Sequence, residues 1–389
     1  MVKTAYYDKF ECIGSKCPNS CCIGWRIDLD IETFAKYMSH KDKNLGKGIS
    51  KNENPTLDKF AVIHRTKKNG RCVFLDSENL CQVQKNYSKE LLSPVCSNFP
   101  RTEINFGFKK LKSLSLSCPE VSRLVFSDID HLKIVNDDNE EYKNENIKLI
   151  PNEFRNDQYA VNSEKVFNFL YKIFNNKNIS LKVCLSITNQ IIKELKNNHL
   201  NTNQTKEVFN YIKLFFLKHN FEICENNDLQ IVFVKNVLKN FKKMKMQNKL
   251  SDFVNEIYQL SFIEMNSKDL IFKFSKNRNI IVEKFESVYE NLFKRYFIHE
   301  IFSRISFLTN RDLDAKEHFN LIFFVALITK LLLILSSIHK RSMNTNDFIK
   351  IMSLVTRYYG SRQTLNDEEK LLFQQKNQED FVSLFYLFF

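Results

Sequence analysis

Apolar residues recur at helical spacing along the second half of the chain. Val166, Phe167, Leu170, Ile173 and Phe174 fall at i, i+1, i+4, i+7 and i+8, one face of a helix. Val208, Ile212 and Phe215 repeat that spacing, with Thr205 placed to cap it. Asp228 and Ser251 stand where two further helices would begin, and Asn344 or Asn346 where another would. Gly360 is suited to end that last helix in the left-handed conformation. Asn366, followed by Asp367, Glu368 and Glu369, reads as a cap with acidic residues well placed on a helix dipole. The run LIFFVALITKLLLIL, Leu321 to Leu335, is long enough to suggest a membrane span. Lys330 lies inside it, and Glu317, His318, His339 and Lys340 flank it closely. A charge near the centre is costly in lipid, so the run predicts a buried core helix and no membrane span.

Glycine and proline divide the chain. No glycine occurs from Phe108 to Tyr359, and the last proline is Pro151. Helix interiors reject both residues, so this long stretch predicts a helical array. The first 120 residues behave otherwise. Gly70 to Asp76 (GRCVFLD) has the look of a short strand, and Leu114 and Leu116 alternate with serines. Gly107 suggests a turn between neighbouring strands, and Ile31 to Met38 a helix after an extended Arg26–Asp28 piece. The expected fold is predominantly α-helical with a small N-terminal α+β cysteine-rich metal-binding module. Residues 1–127 would form that module, 128–157 a polar linker rich in Asp, Asn and Glu, and 158–389 an all-helical domain.

Composition narrows the functional classes. With 43% hydrophobic residues in 389, the chain is globular and large enough for a substantial core. The formal charge is +13, of which +7 lies in residues 1–120, with no basic tail and no arginine run. The 36 phenylalanines follow helical apolar stripes, where core packing explains them. No nucleic-acid role is expected from this pattern. The N-terminal MVKTAYYDKFECIGSKC has no apolar stretch of the secretory kind, which points to the cytoplasm. Thiols stay reduced there, so ten cysteines suggest metal or chemistry before disulfides.

Eight of those ten fall between Cys12 and Cys118, where even scatter would place about a third. The order is Cys12, Cys17, Cys21, Cys22, Cys72, Cys81, Cys96 and Cys118. Pro18, Pro94, Pro100 and Pro119 stiffen the loops beside them. Thiolates select zinc, copper(I) or iron–sulfur centres, and either a zinc site or a 4Fe–4S cluster takes four of them. The spacing alone does not choose between zinc and iron, nor which four bind. Lys16, Arg26, Arg71 and Arg101 are the nearby cations that would offset thiolate charge. Cys184 and Cys224 read instead as buried small hydrophobes. The eight histidines show no HxH or HxxH spacing, so a histidine-rich site is not indicated.

The runs CPNSCCIGWRIDLD, GRCVFLDSENLC, VCSNFPR and LSLSCPE resemble the cysteine-rich region of the flagellin lysine-N-methylase family. They are also similar to a wider group of small proteins with a CxxxCC-type zinc- or iron-chelating motif. Trp25, Phe99-Pro100-Arg101 and Pro119-Glu120 match as neighbours of the cysteines. Tyr289-Glu290-Asn291, Tyr296-Phe297 and the apolar run at Leu321 extend a thinner likeness into the C-terminal half. The resemblance implies a cytoplasmic enzyme that moves a methyl group from S-adenosyl-L-methionine to flagellin lysines, in association with an iron–sulfur cluster.

The chain's own residues limit how that would be done. The one GxG, Gly46-Lys47-Gly48, sits in a polar stretch without a preceding apolar strand, against a Rossmann-type methyltransferase. The radical type of spacing, CxxxCxxC, is also missing, because Cys22 follows Cys21 at once. Lysine methylation requires a neutral amine and a group to take its proton. Tyr296, Glu290 and Tyr289 are the candidates for that role, and each reads equally as a polar group in a helix core. Trp25 is the candidate for lining a cofactor pocket or shielding the metal centre from water. Two other functions fit the same residues: a zinc-stabilised protein-interaction module without catalysis, and an electron-transfer iron–sulfur protein.

Overall fold

The structure is a computed structural model. It describes residues 1–127 apart from 68, 69, 88, 107 and 108, then 132–136, 158–197, 249–263, scattered positions from 266 to 276, 288–305, 315–339 and 344–359. The expectations at Val208, Asp228, Cys224, Gly360 and Asn366 lie outside these residues.

The chain is mostly helical, and its described residues include two small sheets. The three-stranded sheet joins β2 (Asp28–Leu29), β4 (Ala61–Ile63) and β3 (Ile49–Lys51), in that order and all antiparallel. Helix α1 (Ile31–Ser39) follows β2 directly because Asp30 caps it, its carboxylate accepting from the Thr33 amide at 2.8 Å. Leu29, Tyr37, Leu45, Ala61, Ile63, Phe74 and Val83 bury together in a core of their own. Gly48, the second glycine of the GxG, packs under the Phe74 ring, where any Cβ would overlap it. The pair of glycines therefore serves packing at the end of a short helix, α2 (Asn44–Lys47). The GRCVFLD stretch, expected as a strand, forms only single bridges from Arg71, Cys72 and Leu75. Leu75 bonds back to Cys72 across a turn at 3.1 Å, which stops a strand from extending.

The second sheet has the order β5 (Arg101–Phe106), β6 (Lys109–Leu114), β1 (Val2–Thr4), β7 (Ile134–Asn136). β5 and β6 pair antiparallel, with Phe106 opposite Lys109, and β1 joins β6 in parallel; the turn expected at Gly107 lies outside the described residues. This sheet and α5 (Pro119–Ser127) share one core with the helices: Val2, Leu111, Leu114, Val125 and Phe126 cluster with Phe167, Leu170, Phe297 and Phe302. Helix α6 (Gln158–Asn175) buries Val166, Phe167, Leu170, Ile173 and Phe174, the face its spacing predicts, and pairs with α7 (Leu181–Asn197). Further along come α8 (Lys249–Tyr258), α9 (Tyr289–Ser303), α10 (Ala315–His339) and α11 (Thr345–Tyr359). Asn344 caps α11, its Oδ1 accepting from the Asn346 and Asp347 amides at 2.9 and 3.2 Å. The apolar α10 is long enough to cross a membrane, yet 89% of its most apolar stretch is buried by neighbouring helices. A helix apolar on every side that packs this way is a core helix.

Polar contacts from α9 lock it to the sheet and to α5. His299 Nε2 lies 2.9 Å from the Leu114 carbonyl, Arg295 Nε donates to Val125 O at 2.6 Å, and Ser113 and Ser303 share a 2.6 Å hydrogen bond. Glu300 closes the group, 2.8 Å from Arg304 Nε and 3.4 Å from His299 Nδ1. Burial raises its pKa, but Arg304 and His299 outweigh that and hold it at about 2, against an ordinary 4.5. A depressed carboxylate stabilises the fold above the unfolded value and loses that stabilisation as pH falls toward the folded one. Unfolding free energy should therefore drop by about 2 kcal/mol between pH ~5.5 and pH ~3 through this group. Urea melts of Glu300→Gln should show that part of the acid dependence removed; an unchanged slope would refute it.

Candidate metal centre and adjoining cleft

A minimal backbone ladder draws the cysteines together. The Cys72 amide donates to Cys22 O at 2.8 Å, Ile23 bridges Arg71, and Leu75 bridges Cys81. Between Cys72 and Cys81 the chain turns on Asp76, whose Oδ1 accepts from the Glu78 and Leu80 amides at 2.9 and 2.8 Å. Arg71 braces that turn by donating to Asn79 Oδ1 at 2.7 Å and Asp76 O at 2.9 Å. Gly24 and Gly70, joined by a 3.2 Å bond, take φ of +89° and +64°, a region that favours glycine. Cys81 stands at the N-cap position of the short helix α3 (Gln82–Asn86) without a side-chain cap hydrogen bond, and the nearby Gln84 and Val83 amides help to lower its pKa. Cys96 sits in α4 (Pro94–Asn98), started by Ser93, whose Oγ accepts from the Cys96 amide at 3.2 Å, with Pro94 in the first turn.

The result is a group of thiols under electrostatic contact. Cys21, Cys22 and Cys81 perturb one another's titration: interaction with the Cys21 and Cys81 thiols, and then burial, pushes Cys22 far up, so it holds its proton. Interaction with Cys22 in turn draws Cys21 and Cys81 down toward the thiolate. Burial pushes Cys96 up to about 12, with Cys81, Cys21 and Cys72 adding to the rise, and also raises Cys72. Cys17 and Cys118 form an outer pair, raised first by burial and then by neighbouring thiols, with Cys118 at about 11. Cys12 is exposed. All eight cysteines are free thiols. Among the described residues, no group of three or more His, Cys, Asp or Glu side chains is placed to hold a metal ion. By donor chemistry the thiols suit a soft metal.

The cations at the thiols are Arg65 and Arg357. Burial lowers both guanidiniums, and nearby thiolates oppose the fall, Cys72 first for Arg65 and Cys21 first for Arg357. Arg357 reaches from α11 to donate to the Asn19, Ser20 and Ile23 carbonyls at 2.6, 2.6 and 3.1 Å. It thereby clamps the loop that carries Cys21 and Cys22 onto the helical part. The cations expected from sequence have other partners: Arg26 bonds Asp28 and Asn52, and Arg101 lies 5.3 Å over the Phe10 ring. No local signal marks Arg357, which stands 336 positions beyond Cys21 in a helix of its own.

Trp25 donates from its indole to Cys21 O and stands 5.5 Å from the Phe99 ring, half-buried against the small core. Tyr296 is 1% exposed, and its hydroxyl donates to Ile322 O at 3.0 Å; burial drives its pKa well up. Glu290 accepts from the Leu181 amide at 2.5 Å and lies 3.3 Å from Lys294 Nζ. Tyr289 donates to Asn344 O at 3.3 Å. These contacts join helices, and none of the three borders the cleft described next. Cys184 is fully buried and directs its thiol to Ile173 O at 3.4 Å.

A cleft of about 660 Å³ opens beside the thiols. One wall is the cysteine loop itself, through Ile13, Pro18 and Asn19, and another is the start of α5 after Cys118. Helices α8 and α11 supply the opposite side. Fold and site together define a cysteine-cluster protein, its thiols mounted on a helical body with a ligand-sized cleft at the join.

Lysine-N-methylase of Salmonella typhimurium is 35% identical over 138 residues, covering 34% of this chain and 34% of that protein. Lysine-N-methylase of Salmonella choleraesuis gives the same identity and coverage. Flagellar biosynthetic protein FliU of Salmonella muenchen is 35% identical over 138 residues and is covered over 81% of its length. The chain belongs to the flagellin lysine-N-methylase family. The match spans about a third of the length of the two lysine-N-methylases. No family model matches the chain, and no solved structure does.

Proposed function

We propose that this chain is a cytoplasmic protein lysine N-methyltransferase that uses S-adenosyl-L-methionine, acts on flagellin and carries a cysteine-held iron–sulfur cluster. The observation that carries the reading is the 35% identity to proteins named lysine-N-methylase. The name of the flagellar relative supports flagellin as the substrate. Cys21, Cys22, Cys72, Cys81 and Cys96 are the residues that would hold the cluster, with Cys12, Cys17 and Cys118 as the outer set. Zinc in the same thiols is the alternative metal.

Bound S-adenosylmethionine would supply the methyl group, and an iron–sulfur cluster one-electron chemistry. The chain's residues have to do the rest. Arg65 and Arg357 offset the charge of the thiolates, and Trp25, anchored to the Cys21 carbonyl beside Phe99, would shield them. A lysine must reach the site as the amine, which requires an acceptor for its proton. The phenol of Tyr296 is committed as a donor and holds its proton, so a carboxylate suits that step better.

The test is iron, sulfide and zinc analysis with a visible spectrum on protein purified without oxygen, followed by methyl transfer to flagellin read by mass spectrometry. Iron with acid-labile sulfide and S-adenosylmethionine-dependent methylation is the expected result. Iron and sulfide without any S-adenosylmethionine binding would replace the reading by an electron carrier. Stoichiometric zinc, no colour and no transfer would replace it by a zinc-pinned interaction module.

A further inference from the structure

We propose that the cleft between the cysteine loop and helices α8 and α11 docks the lysine-bearing segment of the protein substrate, an inference that rests on the methyltransferase reading. The cleft's size, about 660 Å³, is that of a specific ligand site. Its charges are unequal once pairs are removed. Glu120 is already neutralised by Arg123, which holds both carboxylate oxygens at 2.8 and 2.6 Å. Asp252 and Glu256 remain, exposed and one turn apart on the same face of α8. Neither makes an ion pair among the described residues. On the same side, from α11, stands one ammonium, Lys350, 5.7 Å over the Phe253 ring. In a chain of net charge +13, this leaves an acidic lip on a basic protein.

The rest of the lining suits the same occupant. Phe253, Ile349 and Leu354 give apolar wall for a lysine's methylene stem, while its head meets the carboxylates. Asn19, on the side of the cysteine loop, is 7% exposed, and its buried Nδ2 has no hydrogen-bond partner. That wall lacks one acceptor, and a backbone carbonyl of an extended segment supplies one. The occupant is therefore a cationic side chain on a peptide backbone, and Asn19 places it beside the Cys17–Cys22 loop.

The full chain, purified without oxygen, would be titrated by calorimetry with a capped peptide carrying one lysine among alanines and serines. A norleucine analogue of the peptide and S-adenosylmethionine would be titrated in parallel. The lysine peptide should bind, weaken with added sodium chloride, and outbind the norleucine analogue by about tenfold or more. Asp252→Asn/Glu256→Gln should lose about tenfold in peptide affinity while S-adenosylmethionine binding is unchanged. Both residues are exposed; should the double variant melt early, Glu256→Gln alone, past the first turn of α8, serves instead. Wild-type affinity in the variants, no preference over norleucine, or loss of S-adenosylmethionine in place of peptide would each overturn the proposal. The two readings fail differently. Peptide binding that depends on these carboxylates, without any methyl transfer, supports the docking site and sinks the methyltransferase. Methylated flagellin with an unchanged KM in the variants does the reverse.

Discussion

Cys81→Ser is expected to strip the metal from protein purified without oxygen, whereas Cys184→Ser keeps it. Cys81 is one of two cysteines drawn toward the thiolate by interaction with Cys22, and the amides at the start of its own helix lower it further. A thiolate is the form that binds metal, so the loss of this sulfur removes a donor already biased to ligate. Removing a supporting partner around a metal lowers affinity by about 10–100-fold, and removing a ligand should exceed that. Cys21→Ser and Cys96→Ser should behave as Cys81→Ser does. Cys184 is just as cysteine-like in sequence but sits among Ile173 and Leu185 in the helical core. Its serine variant should lose some stability and no metal. Full occupancy in the Cys81, Cys21 and Cys96 variants would sink the ligand assignment.

Arg357→Ala should destabilise the protein by about 3 kcal/mol or more and lower metal content as well. Its guanidinium donates to three carbonyls of one loop, and bonds to a charged donor are worth roughly 1.5–3 kcal/mol each without adding fully. Truncation leaves those carbonyls short of donors at a place where Asn19 is already buried. It also removes the cation nearest in effect to Cys21, Cys17, Cys118 and Cys22, so their thiolates lose support. Arg357→Lys should recover only part, because an ammonium cannot span three acceptors as a planar fork does. Paired thermal melts and metal analysis test this. Wild-type values for both in Arg357→Ala would mean that the loop holds itself.

Local signals carried the helices. The spacing of Val166, Phe167, Leu170, Ile173 and Phe174 predicts the buried face of α6, and Lys330 within an apolar run marks α10 as a core helix. The caps at Asp30 and Asn344 follow from side-chain chemistry at the chain positions concerned. Clustering of cysteines is likewise visible as spacing, because loops that converge on one site need their ligands near stiff turns. The GRCVFLD stretch shows the limit of such signals. Its alternation resembles a strand, but the turn from Cys72 to Leu75 leaves it with bridges only.

Other features depend on contacts between distant parts, and no local pattern encodes those. β1 lies between β6 and β7, so Val2 shares a core with Leu111 and with Phe302. Cys22 and Cys81 come to influence each other through a backbone ladder by way of Cys72 and Leu75, not through any spacing. The cation at the thiols comes from α11, and the cleft takes walls from four separate stretches. By itself the sequence determined helix faces, caps and the gathering of thiols, since periodicity and residue chemistry act over a few positions. Only the tertiary structure decided which thiols influence one another, what charge stands beside them and where a cleft opens, since burial and Coulomb forces act across space and ignore chain order.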